Sequence, residues 1–330
     1  MAAKKSTTDG NRAKTLSNCP FCGGLLSPKY SGLKDRLFTT NEKFSVSECE
    51  TCHMAMINPL PTGDMSLYYP THYLSSEEES VPEPAKFDLE KWYRYNQYDF
   101  DAKLLRRATG IEIGKAASYL DVGCGSGERV TYAQNRGCKR SWGVDKFDFA
   151  KNKSKTEVQL INSDIVDFKP KEKFQIASLF HVLEHLEDPR VILEHLRKEV
   201  ISPRGYLIIQ VPNYMSYERR IFRNKWFSFD VPRHLWQYNE TALRRLLDEA
   251  GYKVDGAYQV GAPLHPVTIV PSMFREMDIQ RIWVNPKHSN NYKKFMKILW
   301  AGLTLLTIPY ALAQNLFNRS SMLTVVASSK

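Results

Sequence analysis

Asp121-Val122-Gly123-Cys124-Gly125-Ser126-Gly127 is the stretch that decides the fold. An apolar run, 118–120, enters it, and a helix-like segment, 128–136, leaves it. A strand that ends in a glycine-rich turn and opens a helix brings backbone N–H groups close to a ligand, because glycine has no Cβ to hold the ligand away. The spacing is not the Gly-x-Gly-x-x-Gly of dinucleotide-binding folds, and no Gly-Lys-Ser/Thr follows for a nucleoside triphosphate. A structural strand–helix corner without a ligand is the alternative interpretation.

Acidic residues near this turn favour the ligand-binding interpretation. Asp121 stands just before the glycines, and Asp145 ends the next predicted strand, 141–144. Strands and helices alternate from 117 to 211, which predicts an α/β fold with a doubly wound parallel sheet. Ligands bind at the carboxyl ends of such strands. Asp121, Asp145, Asp164 and His181 all lie at predicted strand ends, so one ligand site is expected to collect them.

These segments resemble the class I S-adenosylmethionine-dependent methyltransferases. The glycine turn is similar to their first motif. Residues 181–185 (His-Val-Leu-Glu-His) are similar to the His-x-Leu-Glu-His signature of a bacterial branch, and 230–235 are similar to a further signature of that branch. The resemblance covers about 90–265 and resumes at the last strand. Gln175 departs from it, since the family usually carries Asp there. The resemblance implies a Rossmann-like, mostly parallel seven-stranded sheet, whose last strand is antiparallel and lies beside the sixth.

The resemblance also implies the cofactor and its ligands. S-adenosyl-L-methionine is the expected cofactor, held by Asp121, Gly123, Cys124, Gly125, Gly127, Asp145, Lys146, Asp164, Ile165 and Phe180. Methyl transfer to a hydroxyl needs alignment and a base. The candidate bases are His181 and His234, with Glu184 orienting one of them, while His185 is expected to be a packed histidine. Arg233 holds an anionic substrate group or forms a surface ion pair; the sequence leaves this open.

Two Cys-x-x-Cys pairs, Cys19/Cys22 and Cys49/Cys52, precede this region. Two such pairs suit one tetrahedral Zn²⁺. Disulfides are the alternative, and we expect them less because the N-terminus lacks the apolar segment of a secretory signal. Four thiolates would close the coordination sphere, so the zinc is expected to be structural. His53 is an alternative ligand.

The chain therefore divides into a disordered basic leader (1–17), a zinc-ribbon module (18–60), a linker (61–85), a methyltransferase domain (86–261 and 321–330) and a hydrophobic helical insertion (262–320). The 330 residues carry a formal net charge of +10. A basic excess suits nucleic acid, an anionic membrane surface or acidic substrates. The chain lacks dense Lys/Arg runs and an Asn/Asp-Pro-Pro-Tyr element, so no nucleic-acid partner is expected.

The insertion contains an uncharged apolar stretch, 298–313, preceded by Lys293, Lys294 and Lys297. It is shorter than the roughly 20 residues of a spanning helix. A single crossing would also separate the last strand from its sheet. An interfacial helix, with a second apolar contact at 267–274, keeps both ends on one side of a membrane. A buried core or dimer-forming helix is the alternative.

The leading hypothesis is a methyltransferase that O-methylates a saccharide or lipid-linked glycan at the inner face of a bacterial membrane. Its localisation would be cytoplasmic, with peripheral membrane contact through 262–320. The alternatives are a C- or N-methyltransferase acting on a soluble nucleotide sugar or other small metabolite, and a nucleic-acid methyltransferase. The acceptor atom and the oligomeric state do not follow from the sequence.

Overall fold

The computed structural model describes residues 13–37, 40–69, 89–147, 158–261, 268–274, 282 and 288–330. Its strands are β1 (Ala13–Lys14), β2 (Leu26–Lys34), β3 (Lys43–Cys49), β4 (Ala55–Ile57), β5 (Leu60–Pro61), β6 (Tyr119–Val122), β7 (Ser141–Asp145), β8 (Gln159–Asn162), β9 (Phe174–Phe180), β10 (Ile201–Pro212), β11 (Trp236–Gln237), β12 (Tyr252–Tyr258) and β13 (Met322–Ser329). Its α-helices are α1 (Leu89–Thr109), α2 (Glu128–Asn135), α3 (Pro189–His195), α4 (Tyr217–Phe222), α5 (Glu240–Glu249), α6 (Ile269–Met273), α7 (Asn290–Leu306) and α8 (Ile308–Leu316).

The main sheet has seven strands in the order β12-β13-β10-β9-β6-β7-β8. The pairs β10–β9, β9–β6, β6–β7 and β7–β8 are parallel, whereas β13 is antiparallel to both neighbours. The central strands are mainly apolar and buried, as expected when helices cover both faces of a sheet. This arrangement confirms the predicted α/β fold, including the antiparallel last strand inserted beside β12.

Helix α5 shows how the sequence encodes these elements. Asn239 caps it by accepting a hydrogen bond from the Ala242 backbone N–H at 2.8 Å. Leu243, Leu246 and Leu247 are fully buried on one face, which gives the apolar spacing of an amphipathic helix. The cap and the apolar face thus explain where this helix begins and which side of it packs inward.

The N-terminal module is joined to the domain by a shared sheet. Strands β2, β3 and β4 form antiparallel pairs, and β11 from the methyltransferase region adds to β4, with Trp236 opposite Met56. Asn239 also donates a hydrogen bond from Nδ2 to the Cys52 carbonyl at 2.8 Å. The module is thus part of the same folded body as the domain.

Two predicted boundaries differ from the structure. Within the predicted disordered leader, 13–14 form β1, which pairs with β5, and Leu16 N–H donates to Asn58 Oδ1 at 2.9 Å. Residues 1–12 lie outside the described residues. At the start of the predicted linker, 65–68 form a 3₁₀ turn and Tyr69 reaches His185; 70–88 are again outside the described residues. The expectation of disorder is wrong at 13–16, because pairing of β1 with β5 and the Leu16–Asn58 hydrogen bond fix a segment whose composition is typical of loops. The contact of Tyr69 with His185 shows that the start of the linker packs against the domain.

The insertion forms helices α6, α7 and α8. Ile269 and Val270 of α6 are buried, so most of the predicted second apolar contact belongs to the protein core. Among the described residues no single helix is long and apolar enough to cross a membrane. Helices α7 and α8 satisfy that criterion only together, and they meet at a bend of 42°.

Candidate active site

The glycine turn links β6 to α2 in a conformation that requires glycine. Gly123, Gly125 and Gly127 have φ values of 69°, 50° and 79°, in the left-handed region that side chains disfavour. A Cβ on Gly123 would lie 2.4 Å from Cγ2 of Val182. The turn is therefore packed directly against the residue that follows His181.

Asp145 closes the turn at the carboxyl end of β7. Its Oδ2 accepts the Gly125 N–H and its Oδ1 accepts the Phe147 N–H, both at 2.9 Å. Burial raises the pKa of this carboxyl group above its usual range. A carboxylate held at the edge of a glycine turn is suited to accept hydrogen bonds from the hydroxyl groups of a ribose.

Asp121, at the end of β6, is fully enclosed. The Ser178 hydroxyl donates to its Oδ1 at 2.6 Å, and the Tyr119 hydroxyl lies 3.4 Å from the same oxygen. Burial raises the pKa of Asp121 to about 6, against the opposing effect of nearby Arg129. The carboxyl group therefore lies just before the glycine turn and is joined to β9 by the Ser178 hydrogen bond.

The other predicted cofactor residues lie around the same strand ends. Asp164 is exposed and accepts the Val166 N–H at 3.2 Å, while Ile165 is buried. Lys146 follows Asp145 and lies over the Phe147 ring at 5.0 Å. Cys124 is partly buried inside the turn, and burial raises the pKa of its thiol. The structure thus brings the predicted set to one edge of the sheet.

A buried polar cluster beside this edge escaped the sequence analysis. Arg129 of α2 lies 2.9 Å from Asp101 Oδ2 and stacks on the Phe180 ring, 3.4 Å from its centroid. Gln210 donates from Nε2 to Asp101 Oδ1 and to the Thr324 hydroxyl, each at 2.9 Å. The available signal was Gln210 itself, a polar residue inside the apolar strand β10. Asp101, Arg129 and Phe180 line a cavity between α1, α2 and the sheet.

Histidines converge on Glu184 immediately after β9. His181 Nδ1 lies 3.3 Å from Glu184 Oε1, and His234 Nε2 lies 3.9 Å from the same oxygen. Glu184 is completely buried; burial alone would raise its pKa, but the hydrogen bond from His181 and the charge of His234 lower it. His181 adopts a left-handed φ of 57°, a conformation that costs energy in a non-glycine residue.

His185 and His234 are packed against each other, with ring centroids 4.6 Å apart. The Nδ1 atom of His185 lies 3.1 Å from the Arg233 carbonyl and 3.2 Å from the Tyr69 hydroxyl. Burial, together with the neighbouring His234, lowers the pKa of His185 to about 4. His234 Nδ1 lies 2.8 Å from the Ser228 carbonyl, and burial lowers the pKa of this ring too. Burial thus disfavours the protonated form of both rings.

Arg233 has a different role from either predicted one. It is 1% exposed and bonds the Asp35 carboxylate of the N-terminal module at 2.8 Å, the Asp230 carboxylate and the Tyr68 carbonyl. Arg36 of the module also pairs with Asp230 at 2.7 Å. Although burial opposes it, the charges of Arg233 and Arg36 hold the pKa of Asp230 well below its usual range. Arg233 is thus an internal link between module and domain.

The four cysteines of the module form a compact group. Cys19 Sγ lies 3.8 Å from Cys52 Sγ, Cys22 Sγ lies 3.3 Å from Cys49 Sγ, and the four sulfurs are all within 4.8 Å of one another. All four thiols are free, which is contrary to the disulfide alternative. His53 is outside the group, with Nδ1 3.5 Å from Glu48 Oε1.

Comparison with known proteins agrees with this geometry. A family model described as "Methyltransferase domain" matches residues 92–256, half of the chain. No curated protein matches the chain significantly.

Similar solved structures include a putative S-adenosylmethionine-dependent methyltransferase from Listeria monocytogenes (13% identity, 72% of this chain and 99% of that one, TM-score 0.44) and an S-adenosylmethionine-dependent methyltransferase from Archaeoglobus fulgidus (17% identity, 73% and 100%, TM-score 0.44). The N-methyltransferase NodS from Bradyrhizobium japonicum WM9, in complex with S-adenosyl-L-homocysteine, is similar over a shorter range (19% identity, 49% and 78%, TM-score 0.36).

Proposed function

The chain belongs to the methyltransferase-domain family and is a class I S-adenosylmethionine-dependent methyltransferase, and we propose that it O-methylates a saccharide or lipid-linked glycan close to a membrane. The contact between His181 and the buried Glu184, beside the glycine turn, carries the O-methylation part of this proposal. S-adenosylmethionine supplies a methyl group that is already activated by its bond to a sulfonium. The protein must therefore align the acceptor hydroxyl and remove its proton.

His181 suits the role of base better than His234. Its Nδ1 faces the Glu184 carboxylate, which orients the ring and leaves Nε2 with a lone pair. Its side chain is 36% exposed, whereas that of His234 is 11% exposed. In the proposed step the acceptor oxygen bonds to the methyl carbon, the sulfur–carbon bond breaks with its electron pair leaving on sulfur, and the hydroxyl proton moves to His181 Nε2. In this arrangement the more buried His234, whose Nε2 lies 3.9 Å from Glu184 Oε1, helps to hold the Glu184 carboxylate in place.

A membrane-bound acceptor is supported by the surface of α7 and α8. Six apolar side chains there are each at least 62% exposed: Phe295, Ile298, Leu305, Leu306, Leu316 and Phe317. Large exposed apolar patches mark interaction sites. The segment 288–321 contains Lys293, Lys294, Lys297 and Arg319 and no Asp or Glu, which suits anionic headgroups.

The attachment of these helices suits a surface contact in preference to a crossing. Asn315 and Gly261 exchange two hydrogen bonds, Nδ2 to carbonyl at 2.8 Å and N–H to Oδ1 at 2.9 Å. Ser320 N–H donates to the Gln259 carbonyl at 3.1 Å. Both ends of the insertion are thereby held at one face of the domain, while the apolar side chains of α7 and α8 remain exposed. We propose peripheral binding to a cytoplasmic membrane face.

Zinc is the metal that we propose for the four cysteines. Four thiolates at about 2.3 Å from one tetrahedral ion are about 3.8 Å apart, close to the sulfur separations in the cluster. The chemistry of an all-thiolate set suits Zn²⁺ and leaves no open position, so its role would be structural. We expect mass spectrometry of metals to find one zinc per chain, and we expect Cys49→Ser to lose it. A zinc-free protein that is as stable as the zinc-treated protein would contradict the proposal.

Methyl transfer tests the proposed function. The wild type is supplied with isotope-labelled S-adenosylmethionine and, separately, a bacterial lipid extract and a soluble nucleotide-sugar pool. We expect the label in the lipid phase, in a product whose methyl group is held by a base-stable ether bond. His181→Asn should abolish this labelling, while calorimetry should show that the variant still binds the cofactor. His195→Asn is the matched control, because His195 bonds the Phe168 carbonyl away from this site. Label on carbon or nitrogen, or only in the nucleotide-sugar pool, would refute the proposed acceptor.

Vesicle binding tests the membrane contact independently. The protein should co-sediment with vesicles rich in anionic phospholipid more than with zwitterionic ones, and Leu306→Glu should reduce the bound fraction several-fold. Leu25→Glu is the control, since Leu25 is 62% exposed on the N-terminal module. Equal binding by both variants would contradict the assigned surface.

A further inference from the structure

Glu184 is a buried carboxylate, and one of its two oxygens accepts no hydrogen bond from the described residues. It is 0% exposed, and within the described ranges its ion-pair partners within 4 Å are His181 and His234. Its second oxygen, Oε2, has no hydrogen-bond partner in that part of the chain. A buried carboxylate oxygen that accepts no hydrogen bond is costly unless a cation accompanies it.

Two of the surrounding histidines are oriented as metal ligands are. His234 Nδ1 lies 2.8 Å from the Ser228 carbonyl, and His185 Nδ1 lies 3.1 Å from the Arg233 carbonyl. A carbonyl oxygen only accepts, so each Nδ1 carries the proton and each Nε2 carries the lone pair. Metal-binding histidines characteristically donate their other N–H to such an acceptor, which fixes the tautomer and the ring.

We infer that Glu184, His185 and His234 bind a divalent transition-metal ion, a site separate from the four cysteines. Their ligand atoms all lie within 4.8 Å of one another, and His234 Nε2 lies 3.9 Å from Glu184 Oε1. Ligand atoms at roughly 2.0–2.2 Å from one ion are separated by at most about 4.4 Å, so small side-chain movements complete the site. Two imidazoles and a carboxylate favour ions such as Mn²⁺, Fe²⁺ or Co²⁺.

Such an ion would act on the acceptor of the proposed function. Three protein ligands leave coordination positions open, and an oxygen bound there loses its proton more readily. Glu184 touches His181, so the ion and the proposed base would serve the same hydroxyl. This use rests on the proposed function, whereas binding of the ion does not.

A titration of the zinc-loaded full chain with Mn²⁺, followed by electron paramagnetic resonance, tests the inference. Mn²⁺ prefers oxygen and nitrogen ligands, so it reports on this site and leaves the thiolates alone. Uptake of about one Mn²⁺ per chain is expected, weakened at least tenfold by Glu184→Gln and by His234→Asn and unchanged by His195→Asn. Circular dichroism identifies any variant that has failed to fold.

Two outcomes would overturn the metal site: no Mn²⁺ uptake by the folded wild type, or equal uptake by folded Glu184→Gln and His234→Asn. Methyl transfer is read separately. If the wild type takes up no Mn²⁺ but still transfers methyl groups, the metal site is refuted and the proposed function stands. If it takes up Mn²⁺ but transfers no methyl group to a hydroxyl, the proposed function is refuted and the metal site stands.

Discussion

Replacing Arg233 with methionine should strongly destabilise the protein, because this side chain joins the N-terminal module to the methyltransferase domain. Arg233 is 1% exposed and contacts Asp35, Asp230 and the Tyr68 carbonyl. Methionine fills a similar volume but removes the guanidinium that pairs with the buried Asp35 carboxylate. Breaking a buried ion pair from one side costs about 3–5 kcal/mol, and we expect that loss in the free energy of unfolding.

Urea unfolding followed by tryptophan fluorescence measures the loss. Arg36→Met is the matched control: Arg36 also pairs with Asp230, but its side chain is 14% exposed and makes a cation–π contact with Phe227 at 4.0 Å. We expect about 1–2 kcal/mol from that substitution, as for a charged hydrogen bond with partial solvent access.

A double-mutant cycle of Arg233→Met with Asp35→Asn isolates the contact between module and domain. The coupling should exceed about 1 kcal/mol, because the two groups touch and neither reaches water. A loss below about 1 kcal/mol for Arg233→Met, or additivity with Asp35→Asn, would refute the reasoning and mean that the module is held mainly by β11 and apolar packing.

Three further substitutions have defined outcomes. Asp121→Asn keeps the acceptor oxygen that Ser178 uses but removes a charge that the fold disfavours. The pKa of Asp121 is about 6 in the folded protein and near 3.9 in the unfolded chain, so the free energy of unfolding of the variant should rise by up to about 3 kcal/mol at pH 8. In urea titrations this gain should fade as the pH falls from 6 to 4. A gain independent of pH would contradict this. Gly123→Ala, with φ at 69°, should cost about 1–3 kcal/mol by the same method and weaken S-adenosylmethionine binding in calorimetry; unchanged values would refute the steric argument. Cys49→Ser should speed amide exchange at Ala242, since Asn239 bonds both that N–H and the Cys52 carbonyl; unaltered protection would show that the cap is independent of the N-terminal module.

The sequence by itself determined the α/β fold and the grouping of the predicted cofactor residues, and the family resemblance implied the place of the antiparallel last strand. These features follow from local patterns: glycines at the β6–α2 turn, acids after apolar strands, and paired cysteines at fixed spacing. The fold carries the strand ends to one edge of the sheet, so a pattern along the chain becomes a site in space. The helix cap at Asn239 was predictable for the same reason, since its signal lies within one turn.

Only the tertiary structure decided how the pieces support one another. Asp35 and Arg233 are 198 positions apart, and no periodicity links them. Residues 13–14, typical of a disordered tail, are fixed by pairing with 60–61, and β11 joins the module by completing its sheet. The environment of each histidine also depends on distant segments, because burial and facing charges, not residue type, separate the exposed His181 from the enclosed His234. Contacts between distant segments set these energies, which is why the sequence pattern left the roles of Arg233 and the two histidines open.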